Sequence, residues 1–188
     1  VTAAAGLRFT FREYLQVDAE SSLRHEFLDG MILAMAGGTP DHAALAAAVS
    51  ASLNQQLQGK KRGVYSEALR VRVRATGFAG YPDVTVVCRQ LELDPEDANT
   101  AINPTLLVEV LSPSTEQYDR GAKLSQYLQI PSLQHVVLVA HDRHSIEIHS
   151  RDGAGWTVTT YGPGERALLP SLECTLDVDE IYRDPLSS

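Results

Sequence analysis

The chain has 188 residues, 44% hydrophobic and 21% charged, with a formal net charge of −8 at pH 7. Those values suit one substantial core, with no linker or internal repeat, and no stretch approaches the roughly 20 apolar residues of a membrane-spanning helix. The acidic balance excludes a general attraction to nucleic acid, so any contact with phosphates has to be local. Val1 to Leu7 lack the basic start and apolar core of a signal peptide, and Cys88 and Cys174 have no metal or redox spacing. A cytoplasmic protein with two buried thiols and no membrane contact is expected.

Phe9 to Val17 reads as a short helix starting at Thr10, with Phe11, Tyr14 and Leu15 on one side. Asp29-Gly30 then joins His25 to Leu28 and Met31 to Met35 in a hairpin, because this pair tolerates the positive φ of a two-residue turn. Leu45, Val49, Leu53 and Leu57 recur every four residues and predict a helix from Pro40 to about Leu57 with one aliphatic stripe. Val64 to Arg74 reads as a strand on which Arg70, Arg72 and Arg74 share a face. With Lys60-Lys61-Arg62 upstream this is the densest basic region, either a nucleic-acid contact or a solvated sheet face. Tyr81 to Cys88 is a further strand, with Pro82 tolerable near its start. Arg89 to Asn103 is polar and aperiodic, and is expected as a surface loop or short helical excursion.

Leu106 to Leu111 is the most informative segment: branched aliphatics throughout except for Glu109, bounded by Asn103-Pro104 and Ser112-Pro113. It reads as a buried strand, where an ionised carboxylate costs several kcal/mol unless paired or bound to a metal. Asp83 stands near the mouth of the preceding strand. If the two strands pair, the acids converge and need protonation, a basic partner or a divalent cation. Asp119 to Gln129 reads as a helix and Gln134 to Ala140 as a strand, an order that favours a parallel crossover. Asp119, Lys123 and Tyr127 line one side of that helix, so Lys123 can point back at the acids; the alternative is an ordinary exposed Asp–Lys pair. A hairpin about Asp152-Gly153 and a short helix near Asp177 to Tyr182 close the chain. Ser112, Ser114 and Thr115 read as helix caps rather than nucleophiles, and His141 and His144 as parts of a polar turn.

Pro82-Asp83, the Glu109-Val110-Leu111-Ser112-Pro113-Ser114-Thr115 stretch, Asp119 and Lys123 resemble the Uma2 family of restriction-endonuclease-like proteins, within the PD-(D/E)XK nuclease superfamily. Arg24 to Gly30 is similar to the family's early Glu-x-x-Asp-Gly hairpin, and His42 stands where a helix-start His is usual. The resemblance implies one nuclease-like α/β domain over residues 1–188, a mixed central sheet flanked by helices in the order αβββαβ, with an added hairpin at each end. It also implies Mg²⁺, or Mn²⁺ as a substitute, held by Asp83, Glu109 and the Val110 carbonyl, with Glu26 as an additional acid. Such an ion would lower the pKa of a water and stabilise charge at phosphorus. Leu111 occupies the motif position where the superfamily has Lys, and Lys123 matches the family's migrated Lys. His135-Val136 and Ala140-His141 also depart from the pattern of relatives.

The expected function is a Mg²⁺-dependent endonuclease acting on nucleic acid, with DNA the expected substrate and a homodimer the expected assembly. Its catalytic residues would be Asp83, Glu109, Lys123 and Glu26, with Arg70, Arg72, Arg74 and His42 as nucleic-acid contacts. The alternative is a catalytically inactive binding or regulatory module on the same fold. A glycosidase using Asp83 and Glu109 is disfavoured, since an ammonium beside the pair opposes the raised pKa its acid needs.

Overall fold

In the computed structural model, which describes residues 8–35, 37–184 and 186, helix α1 spans Phe11–Glu20. Its start is capped within the sequence: Thr10 and Glu13 exchange hydrogen bonds in a capping box. Strands β1 (His25–Leu28) and β2 (Met31–Ala34) follow, joined through Asp29 and Gly30 at φ 50° and 77°. Helix α2 runs Pro40–Leu57 with Thr39 as N-cap, and buries the expected stripe of Leu45, Val49, Leu53 and Leu57. Residues 1–7, where no leader was read, lie outside the described residues.

The single strand expected from Val64 to Arg74 is two, β3 (Arg62–Ser66) and β4 (Arg70–Arg72). A turn closed by the Leu69 N–H on the Ser66 carbonyl carries the chain from one sheet to another. Strands β5 (Ala79–Gly80) and β6 (Val84–Cys88) precede the region read as a loop. That reading is corrected: β7 (Leu93–Asp94) and β8 (Asp97–Ala101) form a hairpin, and β8 pairs parallel to β4. Three of its acids, Asp94, Glu96 and Asp97, are the ion-pair partners of Arg70 and Arg72.

Strand β9 (Leu106–Val110) leads into a crossover helix built of α3 (Glu116–Tyr118), a π-helical turn (Asp119–Lys123) and α4 (Leu124–Tyr127). It returns to β10 (His135–Val139), parallel to β9 as expected. Strands β11 (Ile146–Asp152) and β12 (Gly155–Tyr161) extend the sheet. A further hairpin, β13 (Arg166–Leu169) and β14 (Cys174–Asp177), was not anticipated, and it precedes α5 (Val178–Ile181).

One six-stranded sheet has the order β2-β1-β5-β4-β8-β7 and the other β12-β11-β10-β9-β6-β3. Alternation along β9 divides its side chains between two cores. Leu106, Val108 and Val110 pack with the α2 stripe, β13, β14 and α5. Leu107 and Leu111 lie in the other core, with Leu124 and Tyr127 of the crossover helix and Leu28, Leu33, Val71 and Phe78 of the first sheet region. Glu109 is in phase with Leu107 and Leu111, which directs its carboxylate to the side covered by the crossover helix. Cys88 is half-buried, Cys174 is buried, and both are free. Among the described residues no helix is long and apolar enough to cross a membrane.

Candidate active site

The β6–β9 register brings the two strand acids together. Val84 lies opposite Val108 and Thr85 opposite Leu107, so the same antiparallel register carried one residue past the ladder puts Asp83 across from Glu109. With the ladder ended there, Asp83 Oδ2 accepts the Val110 N–H at 2.7 Å. His42, in the first turn of α2, places Nε2 3.3 Å from the same oxygen. That hydrogen bond to Asp83 raises the His42 pKa, with the Val110 backbone acting in the same direction and burial opposing.

Glu109 is held by the crossover helix. The Tyr127 hydroxyl donates to Oε1 at 2.7 Å, and Lys123 Nζ lies 2.9 Å from that oxygen. Lys123 also reaches Glu26 Oε1 at 2.8 Å and Asp119 Oδ1 at 3.6 Å, so one ammonium faces three carboxylates. It is only 3% exposed, which rules out the ordinary surface pair considered from sequence. The π-helical turn contains both Asp119 and Lys123, a distortion that recurs where helices serve functional sites. Burial pushes the Glu109 carboxyl well above the usual range, partly countered by Lys123 and reinforced by Asp83, Asp119 and Glu26. Burial likewise raises Asp119, again against Lys123. For Lys123 itself burial opposes the charge, but Glu109 and Glu26 foremost hold its pKa well above the ordinary value.

Glu26 enters from the first sheet, where Gly80 makes room for it. A Cβ on Gly80 would stand 3.0 Å from Glu26 Oε1 and 2.8 Å from Phe78 Cζ. Sequence reasoning gave Gly80 no role, and nothing in its spacing signals one. Tyr127 was placed on the Lys123 side of the helix, but its bond to Glu109 depends on how the helix docks.

The oxygen donors present suit a hard divalent cation. Among the described residues, both protein donors of each strand acid fall on one oxygen, leaving Asp83 Oδ1 and Glu109 Oε2 without a hydrogen bond. Two carboxylates and a backbone carbonyl, completed by water, make an acceptable Mg²⁺ donor set. Among the described residues no group of three or more His, Cys, Asp or Glu side chains is arranged to hold a metal ion, so the side chains alone do not form a cage.

Arg70 and Arg72 share a face of β4 as expected, but α1 covers that face, and Arg74 lies beyond the strand. Arg70 is 8% exposed and bonds Asp18, Asp97, Tyr14, Tyr81 and Thr100, which removes it from the surface as a phosphate contact. Arg72 is tied to Asp94 and Glu96 and lies over the Phe11 ring. Arg74 is exposed in the turn after β4. The physical reason is that β4 is an interior strand of its sheet, covered by α1 and flanked by the acidic β7–β8 hairpin.

A mixed sheet whose parallel pair is joined by a crossover helix, with acids at the strand ends and a lysine brought in by that helix, defines a restriction-endonuclease-like nuclease fold. A crystal structure of "a putative nuclease belonging to DUF820" from Anabaena variabilis ATCC 29413 has this architecture. It superposes with TM-score 0.75 over 91% of this chain and 96% of that one, at 17% identity. The family model Uma2, described as "Putative restriction endonuclease", matches residues 11–179. The chain therefore belongs to the Uma2 family, within the PD-(D/E)XK-like nuclease superfamily. Two relatives come from Synechocystis sp. (strain ATCC 27184 / PCC 6803 / Kazusa). "Uncharacterized protein slr1290" is 35% identical over 91% of this chain and 90% of its own length. "Uncharacterized protein sll1609" is 27% identical over 84% and 89%.

Proposed function

We propose that the chain is a Mg²⁺-dependent endonuclease that hydrolyses phosphodiester bonds of nucleic acid, with DNA as substrate, acting as one nuclease-like domain over residues 1–188. The observation that carries this reading is the pairing of Asp83 with Glu109 across the β6–β9 register, each with one oxygen held by protein donors and the other, among the described residues, without a hydrogen bond. Asp83, Glu109 and the Val110 carbonyl would hold the cation. When bound, Mg²⁺ or Mn²⁺ supplies charge stabilisation at the scissile phosphate and acidifies a water.

The chain's own groups account for the remainder. Lys123 pairs with Glu109 and Glu26, partly counters the burial that raises the Glu109 carboxyl, and stands in for the basic group absent at Leu111. Glu26 adds an acid from the first sheet, paired with Lys123. His42 braces Asp83. Arg74 is exposed and available for a phosphate contact, consistent with local rather than global attraction in a chain of charge −8. A homodimer would supply the two sites that cutting both strands of a duplex requires.

The test is cleavage of single- and double-stranded DNA and of RNA by purified protein with and without Mg²⁺ or Mn²⁺, alongside Asp83→Asn and Glu109→Gln. Metal-dependent cleavage lost in both variants is expected. The saturation of Lys123 by three carboxylates favours a second reading, an inactive nuclease-fold binding module. Metal binding without turnover on any of these substrates would select it.

A further inference from the structure

Tyr127 is fully buried in the core formed by Leu107, Leu111, Leu124, Ile130 and Leu133. Its ring meets Phe78 edge-on, with centroids 5.6 Å apart at 81°. All of that packing needs only the ring, and a phenylalanine would supply it. The hydroxyl does something different: buried at the end of the ring, it donates to Glu109 Oε1 at 2.7 Å. A hydroxyl left in such a core without an acceptor would be destabilising.

The second donor to that oxygen, Lys123, sits at the end of a flexible stem and divides its ammonium among Glu26, Glu109 and Asp119. It gives charge but little angular control. The terminal torsion of a glutamate is broad, so a point charge alone leaves the carboxylate free to swivel. Tyrosine has a rigid ring, and here the ring is wedged against Phe78. We infer that Tyr127 is a positioning residue that locks the Glu109 carboxylate by Oε1 and presents Oε2 to a divalent cation.

This rests on the proposed role of Asp83 and Glu109 as cation ligands, and extends it to the group that orients one of them. Outer groups that hydrogen-bond a metal-ligating carboxylate typically govern about 10–100-fold in metal affinity or activity. The complementary clamp on Asp83 comes from the Val110 N–H and His42. Both ligands would thus be aimed by donors on their far oxygen.

The experiment is calorimetric titration of the full chain with Mn²⁺ alone, comparing wild type, Tyr127→Phe, Glu109→Gln and the double variant, with circular dichroism to verify folding. Tyr127→Phe keeps the ring that fills the core. It is expected to weaken Mn²⁺ binding about tenfold or more, while the double variant binds no worse than Glu109→Gln alone, because the hydroxyl acts through that carboxylate. A merely structural hydroxyl would lower the melting temperature and leave the affinity of the folded protein at the wild-type value. Wild-type affinity in Tyr127→Phe, or a further loss in the double variant, overturns the inference and leaves the proposed function standing. Absence of Mn²⁺ binding by the wild type overturns the proposed function, and the inference with it.

Discussion

Replacing Lys123 by Met removes the ammonium and keeps a side chain of similar length in a place that is 3% exposed. Glu26 and Glu109 lose contacts of 2.8 and 2.9 Å, and Asp119 loses one of 3.6 Å. Breaking a buried ion pair by deleting one partner typically costs about 3–5 kcal/mol, because the other charge is left uncompensated. In a chain of this size that corresponds to a melting temperature lower by about 6–20 °C. The groups around the vacated position are Glu26, Asp83, Glu109 and Asp119, with the hydroxyls of Tyr118 and Tyr127 and the ring of His42.

The sign of the pH dependence follows from the directions of the shifts. Lys123 is raised, so its stabilisation is complete below its ordinary value of 10.5 and is lost as pH rises through the still higher folded value. Glu109 and Asp119 are also raised, so their protonated forms favour the fold at low pH, and that contribution is lost as pH rises through their folded values. Without Lys123 both carboxyls rise further. The gap between wild type and Lys123→Met is therefore widest near pH 7.5 and narrows toward pH 5. Urea denaturation at the two pH values measures it. A destabilisation below about 1 kcal/mol, the value of an exposed pair, or one equal at both pH values, would refute the reasoning.

Two further variants separate site from scaffold. Gly80→Ala forces a methyl against Phe78 and Glu26, at 2.8 and 3.0 Å, and should destabilise by about 1–3 kcal/mol, as overpacking does; thermal melts showing wild-type stability would mean that the neighbours yield freely. Arg70→Met strips Asp18 and Asp97 of their common partner and should cost about 3–5 kcal/mol. The salt dependence of any nucleic-acid binding should stay unchanged in that variant, whereas loss of a phosphate contact would flatten it.

The legible parts of the fold were those where local chemistry and burial agree. Thr10 with Glu13, the Asp29-Gly30 turn and the four-residue stripe of α2 each state their structure within a few residues. The β7–β8 hairpin was illegible because its Asp and Glu residues resemble solvent-facing loop residues until Arg70 and Arg72 are seen beside them. The β3–β4 break was hidden because Ser66 to Leu69, where the chain turns, contains neither glycine nor proline to mark it. The β13–β14 hairpin was missed where short apolar pairs lie either side of a 3₁₀ turn at Pro170–Leu172, with no long periodic run to announce them.

At the candidate site the division is sharper. A lone carboxylate in an aliphatic strand, an acid after proline and a lysine four residues from another acid are properties of the chain, and they single out Glu109, Asp83 and Lys123. What the tertiary structure decided is which atoms meet: the β6–β9 register that sets Asp83 across from Glu109, the helix docking that puts Lys123 and Tyr127 on one carboxylate oxygen, and the glycine that admits Glu26 from another sheet. Side-chain identity and spacing dictate a local burden of charge, but the partner that neutralises each charge comes from strands and helices distant in sequence, and only packing selects it.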